Sequence, residues 1–282
     1  SFDMHESPPL TTHDRQLTFG VLSVSFLAGD SQRVVAGTND CSLIVYNVER
    51  KQIEVQISRA HTDDVNCVRY ADPSGNIILS ASDDCLGKVW DKRLLNHANQ
   101  RAVGVLVGHT EGLTHVSGKD DGRHCITNSK DQTLKEWDIR MMASASGDYT
   151  SVPGRKSWDY RWMNYPGQIG ANLHPNDCSI STYIGHSVLQ TLIRCYYSPQ
   201  HSTNQRYLYT GSSCGRMYIY DTYTGQALPA LNHHTSAVRD VSWHPWNPVL
   251  FSSSWDGTIA AWENDGGCWT GSRLIAQDSV EP

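Results

Sequence analysis

Residues 108–138 read GHTEGLTHVSGKDDGRHCITNSKDQTLKEWD, a Gly-His pair, two strand-like runs and a closing Trp137-Asp138. Within this stretch Ser129 stands two residues before Asp131, and Asp131 six before Trp137. The same spacing recurs in Thr38-Asn39-Asp40 to Tyr46, Ser82-Asp83-Asp84 to Trp90, Ser212-Ser213-Cys214 to Tyr220 and Ser254-Trp255-Asp256 to Trp262. Cys214 takes the Asp place in the fourth copy. A histidine precedes four copies: His61, His109, His186 and His234. An apolar strand begins four residues later at Val65, Leu113 and Val238, and six later at Leu192, whereas the first copy has Leu17 at the matching place. The anchor aromatics are 44, 47, 83 and 42 residues apart. A unit of about 40–45 residues with four short strands is a β-propeller blade. The expectation is therefore an all-β chain with five recognisable blades over 17–264, each third strand ending near one of those aromatics.

Local patterning agrees. Val238-Arg239-Asp240-Val241-Ser242-Trp243 alternates as a half-buried strand, and Asp256-Gly257 is hairpin-turn chemistry. The long spacing of 83 is nearly two units, but Pro175 and the prompt return of Gly185-His186 leave no room for a further blade between Arg140 and Tyr183. Ser179–Tyr183 reads as the fourth strand of the third blade, and 141–178 as an insertion between its third and fourth strands. The insertion holds Trp158-Asp159-Tyr160-Arg161-Trp162, aromatic enough to pack down on the propeller. It leaves from the rim where the third strands end, so it is expected to brace or shield that rim. Segments 1–16 and 265–282 show no repeat and read as an N-terminal segment and a C-terminal tail. Five blades could close on themselves or form an arc cut from a larger ring.

Composition narrows the class. The chain has 282 residues, 39% hydrophobic, 18% charged, with a formal charge of −6, a pI near 6.1 and a mean hydropathy of −0.46. A general nucleic-acid binder would normally be basic, so this acidic chain is not expected to be one, and no run of 18 apolar residues is present to span a membrane. Ser1-Phe2-Asp3-Met4-His5-Glu6 is polar and does not read as a secretory leader; with no initiator Met, the sequence is expected to be a fragment. The eight cysteines are at least 17 apart with no C-x-x-C, which argues against a zinc site and for free thiols in a reducing compartment, the nucleus or cytoplasm.

Gly108-His109 to Trp137-Asp138 and Ala60-His61 to Trp90-Asp91 resemble WD repeats. The resemblance implies buried hydrogen-bonded tetrads of His61, Ser82, Asp84, Trp90, of His109, Ser129, Asp131, Trp137, and of His234, Ser254, Asp256, Trp262. Recurrence also disposes of a hydrolase triad. A catalytic Ser-His-Asp set occurs once, in a singular nucleophile context, whereas this set occurs three times at one spacing. No phosphate loop, metal cluster or nucleophile elbow stands in the sequence, so neither catalysis nor a cofactor is expected.

Trp90-Asp91-Lys92-Arg93 and Trp137-Asp138-Ile139-Arg140 place W-D-x-R at the ends of two adjacent blades. This is similar to the paired motif of cullin-4 ubiquitin ligase substrate receptors. The resemblance implies that Asp91, Arg93, Asp138 and Arg140 dock to the ligase's propeller adaptor, damaged-DNA-binding protein one. The other reading of each Arg is a solvated side chain after a strand. Trp158-Asp159-Tyr160-Arg161 matches the string but has no blade around it, and Trp255-Asp256 is a turn. Longer stretches, among them His61-Thr62-Asp63-Asp64-Val65-Asn66, Trp158–Trp162 and Val238–Pro245, resemble the family of DDB1- and cullin-4-associated factor eleven with its plant homologues, over about 19–264. That resemblance implies a larger, seven-bladed ring with blades before residue 17, and a receptor presenting a protein substrate. The residues before each turn Asp, namely Asn39, Asp83, Lys130, Ser213 and Trp255, are the implied substrate face on the opposite rim. A general scaffold, binding histones or signalling complexes, is the alternative. Gly87, Glu136 and Ala261 depart from the usual third-strand pattern and are expected to weaken it.

Overall fold

A computed structural model of the chain describes residues 19–27, 30–95, 99–149, 158–170, 173–265 and 268–275. The N-terminal segment 1–16, Leu17, and the middle of the insertion at 150–157 and 171–172 lie outside the described residues, as does 276–282. Five antiparallel sheets follow one another along the chain. Each has strands a to d in order, a innermost. Blade I is Val21–Leu27, Asp30–Thr38, Leu43–Asn47 and Gln52–Ile57. Blade II is Val65–Tyr70, Ile77–Ser82, Gly87–Asp91 and Gly104–Leu106. Blade III is Leu113–Gly118, His124–Ser129, Leu134–Asp138 and Ser181–Tyr183. Blade IV is Cys195–Tyr197, Tyr207–Thr210, Arg216–Asp221 and Leu231–Asn232, and blade V is Val238–Trp243, Val249–Ser254, Thr258–Asp265 and Cys268–Ile275. The architecture is an all-β propeller, with one turn of α-helix, Gln200–Thr203, among the described residues.

The sheets are tied by what the alternation of side chains dictates. One face of each blade packs on the blade before it, the other on the blade after. Val35, Leu43 and Val45 of blade I meet Val65, Val68 and Ile78 of blade II. Cys67, Leu79 and Val89, on the other face of blade II, meet Leu113, Val116 and Cys125 of blade III. Ile126 and Leu134 then meet Tyr197 and Leu208, and Tyr209 and Ile219 meet Val241 and Leu250. Burying each such side chain contributes about 1.5–3 kcal/mol, so the seams between blades hold most of the stability. Side chains also stitch the inner strands. Asn66 Nδ2 donates to Leu113 O at 2.8 Å, Thr114 Oγ1 to Ile193 O at 2.9 Å, and the Arg194 amide to Arg239 O at 3.1 Å.

Every b–c hairpin turns through a left-handed residue just after the Asp or Cys position. These are Cys41, Cys85, Gln132, Gly215 and Gly257, with φ between 65° and 79°. Five equivalent turns in one conformation are the backbone counterpart of the sequence repeat.

Two of the three third-strand departures, Gly87 and Glu136, are accommodated by their neighbours. Gly87 lies against Leu106, where an added Cβ would come within 3.2 Å of the Leu106 Cβ. Glu136 is buried, and its two carboxylate oxygens accept hydrogen bonds from Tyr183 OH at 3.0 Å and Tyr197 OH at 3.2 Å. Two boundaries need correction. Residues 268–275 are not a tail but strand d of blade V, paired along Thr258–Asp265. Within the insertion, Ala143–Ser144 adds a fifth strand to blade II, outside Gly104–Leu106.

Candidate functional site

The histidines define one rim. His61 Nδ1 donates to Asp84 Oδ2 at 2.8 Å, and the Thr62 amide donates to the same oxygen. His61 Nε2 accepts from Ser80 Oγ at 2.7 Å, and Ser80 Oγ in turn accepts from Trp90 Nε1 at 2.8 Å. Each proton thus has one destination, from indole to hydroxyl to imidazole to carboxylate. Blade III repeats it with His109, Asp131, Thr127 and Trp137, at 2.8, 2.7 and 2.8 Å. Blade V repeats it with His234, Asp256, Ser252 and Trp262, at 3.1, 2.8 and 2.9 Å. Burial pushes the His61 imidazole below its usual range, which favours the neutral ring this relay requires. Burial would raise the Asp84 carboxyl, but the bonds from His61 and Thr62 overcome it and hold the acid lowered.

The hydroxyl in each tetrad is not the expected one. Ser80, Thr127 and Ser252 bridge His and Trp, in place of Ser82, Ser129 and Ser254. The register explains this. Trp90 stands opposite Ile78, and Lys88 opposite Ser80, so the indole reaches diagonally to Ser80 on its own face. Ser82 stands one pair further out, where its Oγ donates to Asp63 O and accepts from the Asp84 amide. Ser129 and Ser254 make the same turn bonds, to Glu111 O and Ser236 O.

Blades I and IV depart from the pattern. Thr38 Oγ1 donates to Asp40 at the hairpin of blade I. In blade IV, His186 Nδ1 accepts from Tyr220 OH at 2.9 Å, and Nε2 donates to Asn128 Oδ1 of blade III at 2.8 Å. Burial drives this imidazole down to about 4, against a smaller upward pull from Asp131. Cys214, at the Asp place, contacts Ser212 Oγ at 3.1 Å instead of a histidine.

On the opposite rim the two W-D-x-R ends differ. Arg93 grips its own Asp91, with Nε to Oδ1 at 2.9 Å and Nη2 to Oδ2 at 2.6 Å, while its side chain stays 66% exposed. The guanidinium holds the Asp91 carboxyl below its usual range. Asp138 is gripped by Arg123 instead, at 2.8 and 2.6 Å, which likewise lowers its carboxyl. The exposed Arg140 then has no ion pair among the described residues; only its backbone amide bonds Asp138, at 3.0 Å. Asp221 of blade IV takes Arg206 in the same way as Asp138 takes Arg123. This strand-end Asp–Arg clasp spans fifteen residues in both blades, from the Arg before strand b to the Asp that ends strand c, a spacing separate from the Ser/Thr-Asp-aromatic repeat.

The His-bearing rim carries the five residues that precede the turns. Trp255 is 54% exposed. Asp83 accepts from Lys130 Nζ at 2.7 Å and from Asn66 Nδ2 at 2.6 Å, so two expected contact residues from neighbouring blades form one ion pair. Asn39 Oδ1 accepts from the Gly20 amide, and the Ser213 amide donates to Ser187 O. The insertion departs from the W-D-x-R rim, as its connectivity requires, but its described aromatic part does not shield that rim. Tyr160 lies beneath Lys130 Nζ, 4.2 Å from the ring centre, and its carbonyl accepts from the Gln190 amide at 2.8 Å. Trp158 packs edge-on to Tyr165. On its way back, Asp177 closes on Gly108 and binds Lys135 Nζ at 2.6 Å; a side chain at 108 would collide with that carboxylate. The insertion therefore climbs the outside of the propeller and lands on the histidine rim.

Tetrads repeated at one spacing, b–c turns of one conformation and W-D strand ends define the class. Residues 53–91, 100–138 and 225–263 match the family of the WD domain, G-beta repeat. The chain is a WD-repeat propeller protein. Within that class it is 49% identical, over 94% of its length, to the LEC14B homolog of Prunus armeniaca, of which it covers 55%. It is 42% identical, over 87% of its length, to the DDB1- and CUL4-associated factor 11 homolog of Caenorhabditis elegans, of which it covers 43%. It is 26% identical, over 80% of its length, to the nuclear distribution protein PAC1 of Arthroderma benhamiae, of which it covers 45%. The chain is thus a WD-repeat protein resembling the DDB1- and CUL4-associated factor 11 homologues, and it spans about half the length of the curated relatives it matches.

Proposed function

We propose that the chain is the propeller of a cullin-4 ubiquitin ligase substrate receptor, docking to the ligase adaptor through Arg93 and Arg140, with the buried Asp91 and Asp138 shaping the two strand ends. The observation that carries the reading is the pair of exposed guanidinium groups at equivalent strand ends of adjacent blades, in a chain similar to proteins named for association with that adaptor and cullin. One partner surface can engage both ends at once. Arg suits such a contact because its planar fork donates several hydrogen bonds and remains charged. The opposite rim, with Trp255 as an exposed aromatic anchor and the Asp83–Lys130 pair as its charged centre, is the substrate-facing side.

The test is adaptor co-purification with the wild type, Arg140→Ala and the Arg93→Ala/Arg140→Ala pair, alongside thermal melts. Arg140→Ala removes no ion pair among the described residues, so its melt is expected to match the wild type. The double variant is expected to lose about 2 kcal/mol or more of adaptor binding, roughly thirty-fold. Adaptor binding unchanged in both variants would reject this reading in favour of a scaffold unconnected to ubiquitination.

A further inference from the structure

We propose that the centre of the propeller holds a phosphate-binding site, formed by Arg69 of blade II, Arg194 of blade IV, Arg239 of blade V and His115 of blade III. These residues line one chamber of about 140 Å³ on the inner strands, with Ser23, Asn66 and Thr114 completing its polar wall. That is room for four or five water molecules at about 30 Å³ each, enough for a phosphate group.

Charge argues for an anion. Three arginines line one small space. Arg194 Nη1 is paired with Asp240 at 2.8 Å, and the other Asp240 oxygen accepts from Tyr196 OH at 3.0 Å. Arg69 and Arg239 make no ion pair among the described residues, and Asp120 attracts Arg69 only at longer range. With Asp240 set against Arg194, two positive charges stand uncompensated, which matches a phosphate near −2 better than a carboxylate at −1. Guanidinium forks also suit its tetrahedral oxygens.

The second observation is His115. It is buried, and its Nδ1 accepts from the Cys195 amide at 3.4 Å. The ring hydrogen is therefore on Nε2, and that buried donor has no partner. Buried donors are seldom left unsatisfied, and those that are commonly mark a missing ligand or ion. Burial first, then the charges of Arg69 and Arg194, hold this imidazole well below its usual range. A bound anion would offset those charges. The site is independent of adaptor docking, which uses different residues.

The experiment is titration of the chain with inorganic phosphate at constant ionic strength, followed by calorimetry and by imidazole NMR. Sodium acetate is the control, and Arg69→Gln and Arg239→Gln are the variants. Expected are saturable phosphate binding, movement of the His115 ring signals, acetate at least ten-fold weaker, and a ten-fold or greater loss of phosphate affinity in each variant. Arg239 is exposed at the chamber's edge, so its replacement leaves the fold intact even where Arg69→Gln does not. No heat and no His115 movement in the wild type would overturn the proposal. So would acetate matching phosphate, or Arg239→Gln retaining full affinity.

Discussion

At the scale of single residues, the tetrads show where reading by spacing succeeds and where it stops. His61, Asp84 and Trp90 stand at fixed distances along the sequence, so repetition exposes them. The bridging hydroxyl is chosen by pairing register, which one strand's sequence does not contain, and Ser82 and Ser80 are equally good Ser residues on one face. The distinction is testable. Ser80→Ala strands His61 Nε2 and Trp90 Nε1 and is expected to cost about 1–3 kcal/mol, whereas Ser82→Ala leaves both bonded. Indole and imidazole NMR signals of Trp90 and His61 should shift in the first variant and hold in the second. Acid sensitivity belongs to this scale too. His186 is held down at about 4, below its ordinary 6.5, so the unfolded chain takes the proton first. Stability from this group is full above about pH 6.5 and falls as pH drops towards 4, by about 3 kcal/mol across the window. His61, lowered in the same sense, adds to the loss. Urea titrations at pH 7.5 and 5.0 are expected to show the drop, and His186→Gln should flatten the pH slope while lowering the stability at pH 7.5.

At the scale of elements, strands with an anchor aromatic were legible and strands without one were not. Cys268–Ile275 follows Trp262 with no repeat signal of its own, and its place is set by pairing along the whole of Thr258–Asp265. Ala143–Ser144 is two residues long, too short for any period to show. The insertion was legible as an insertion, because a spacing of 83 demanded one. Its landing place was not, since an aromatic cluster says that it packs but not on what. Its contact with Lys130 makes a prediction about the histidine rim. Tyr160→Ala removes the ring beneath an ammonium that also holds Asp83, and should alter capture of a charged substrate without touching adaptor binding. Trp255→Ala, on an exposed turn of another blade, is expected to weaken substrate capture by about 2 kcal/mol at unchanged melting temperature. Quantitative pull-downs of substrate and adaptor from the same lysate would check both variants.

At the scale of the molecule, the four largest apolar clusters lie between blades rather than within them, so every blade depends on its neighbours along the series. Such a series behaves as a chain of nearest-neighbour couplings, in which damage to one unit loosens the two seams beside it. Cys67 and Cys125 are free thiols buried in the seam between blades II and III, and burial pushes both thiols upward, the second to beyond the range of any ordinary thiol. Alkylation of these two therefore reports the opening of that seam, while exposed Cys214 should label at once. Arg93 and Arg140 sit on either side of the same seam. A partner gripping both acts as a clamp across a joint. Docking on the outer rim should then slow the clock of Cys67 and Cys125 labelling deep in the interior, turning two silent sulfurs into a gauge of occupancy at a surface they never touch.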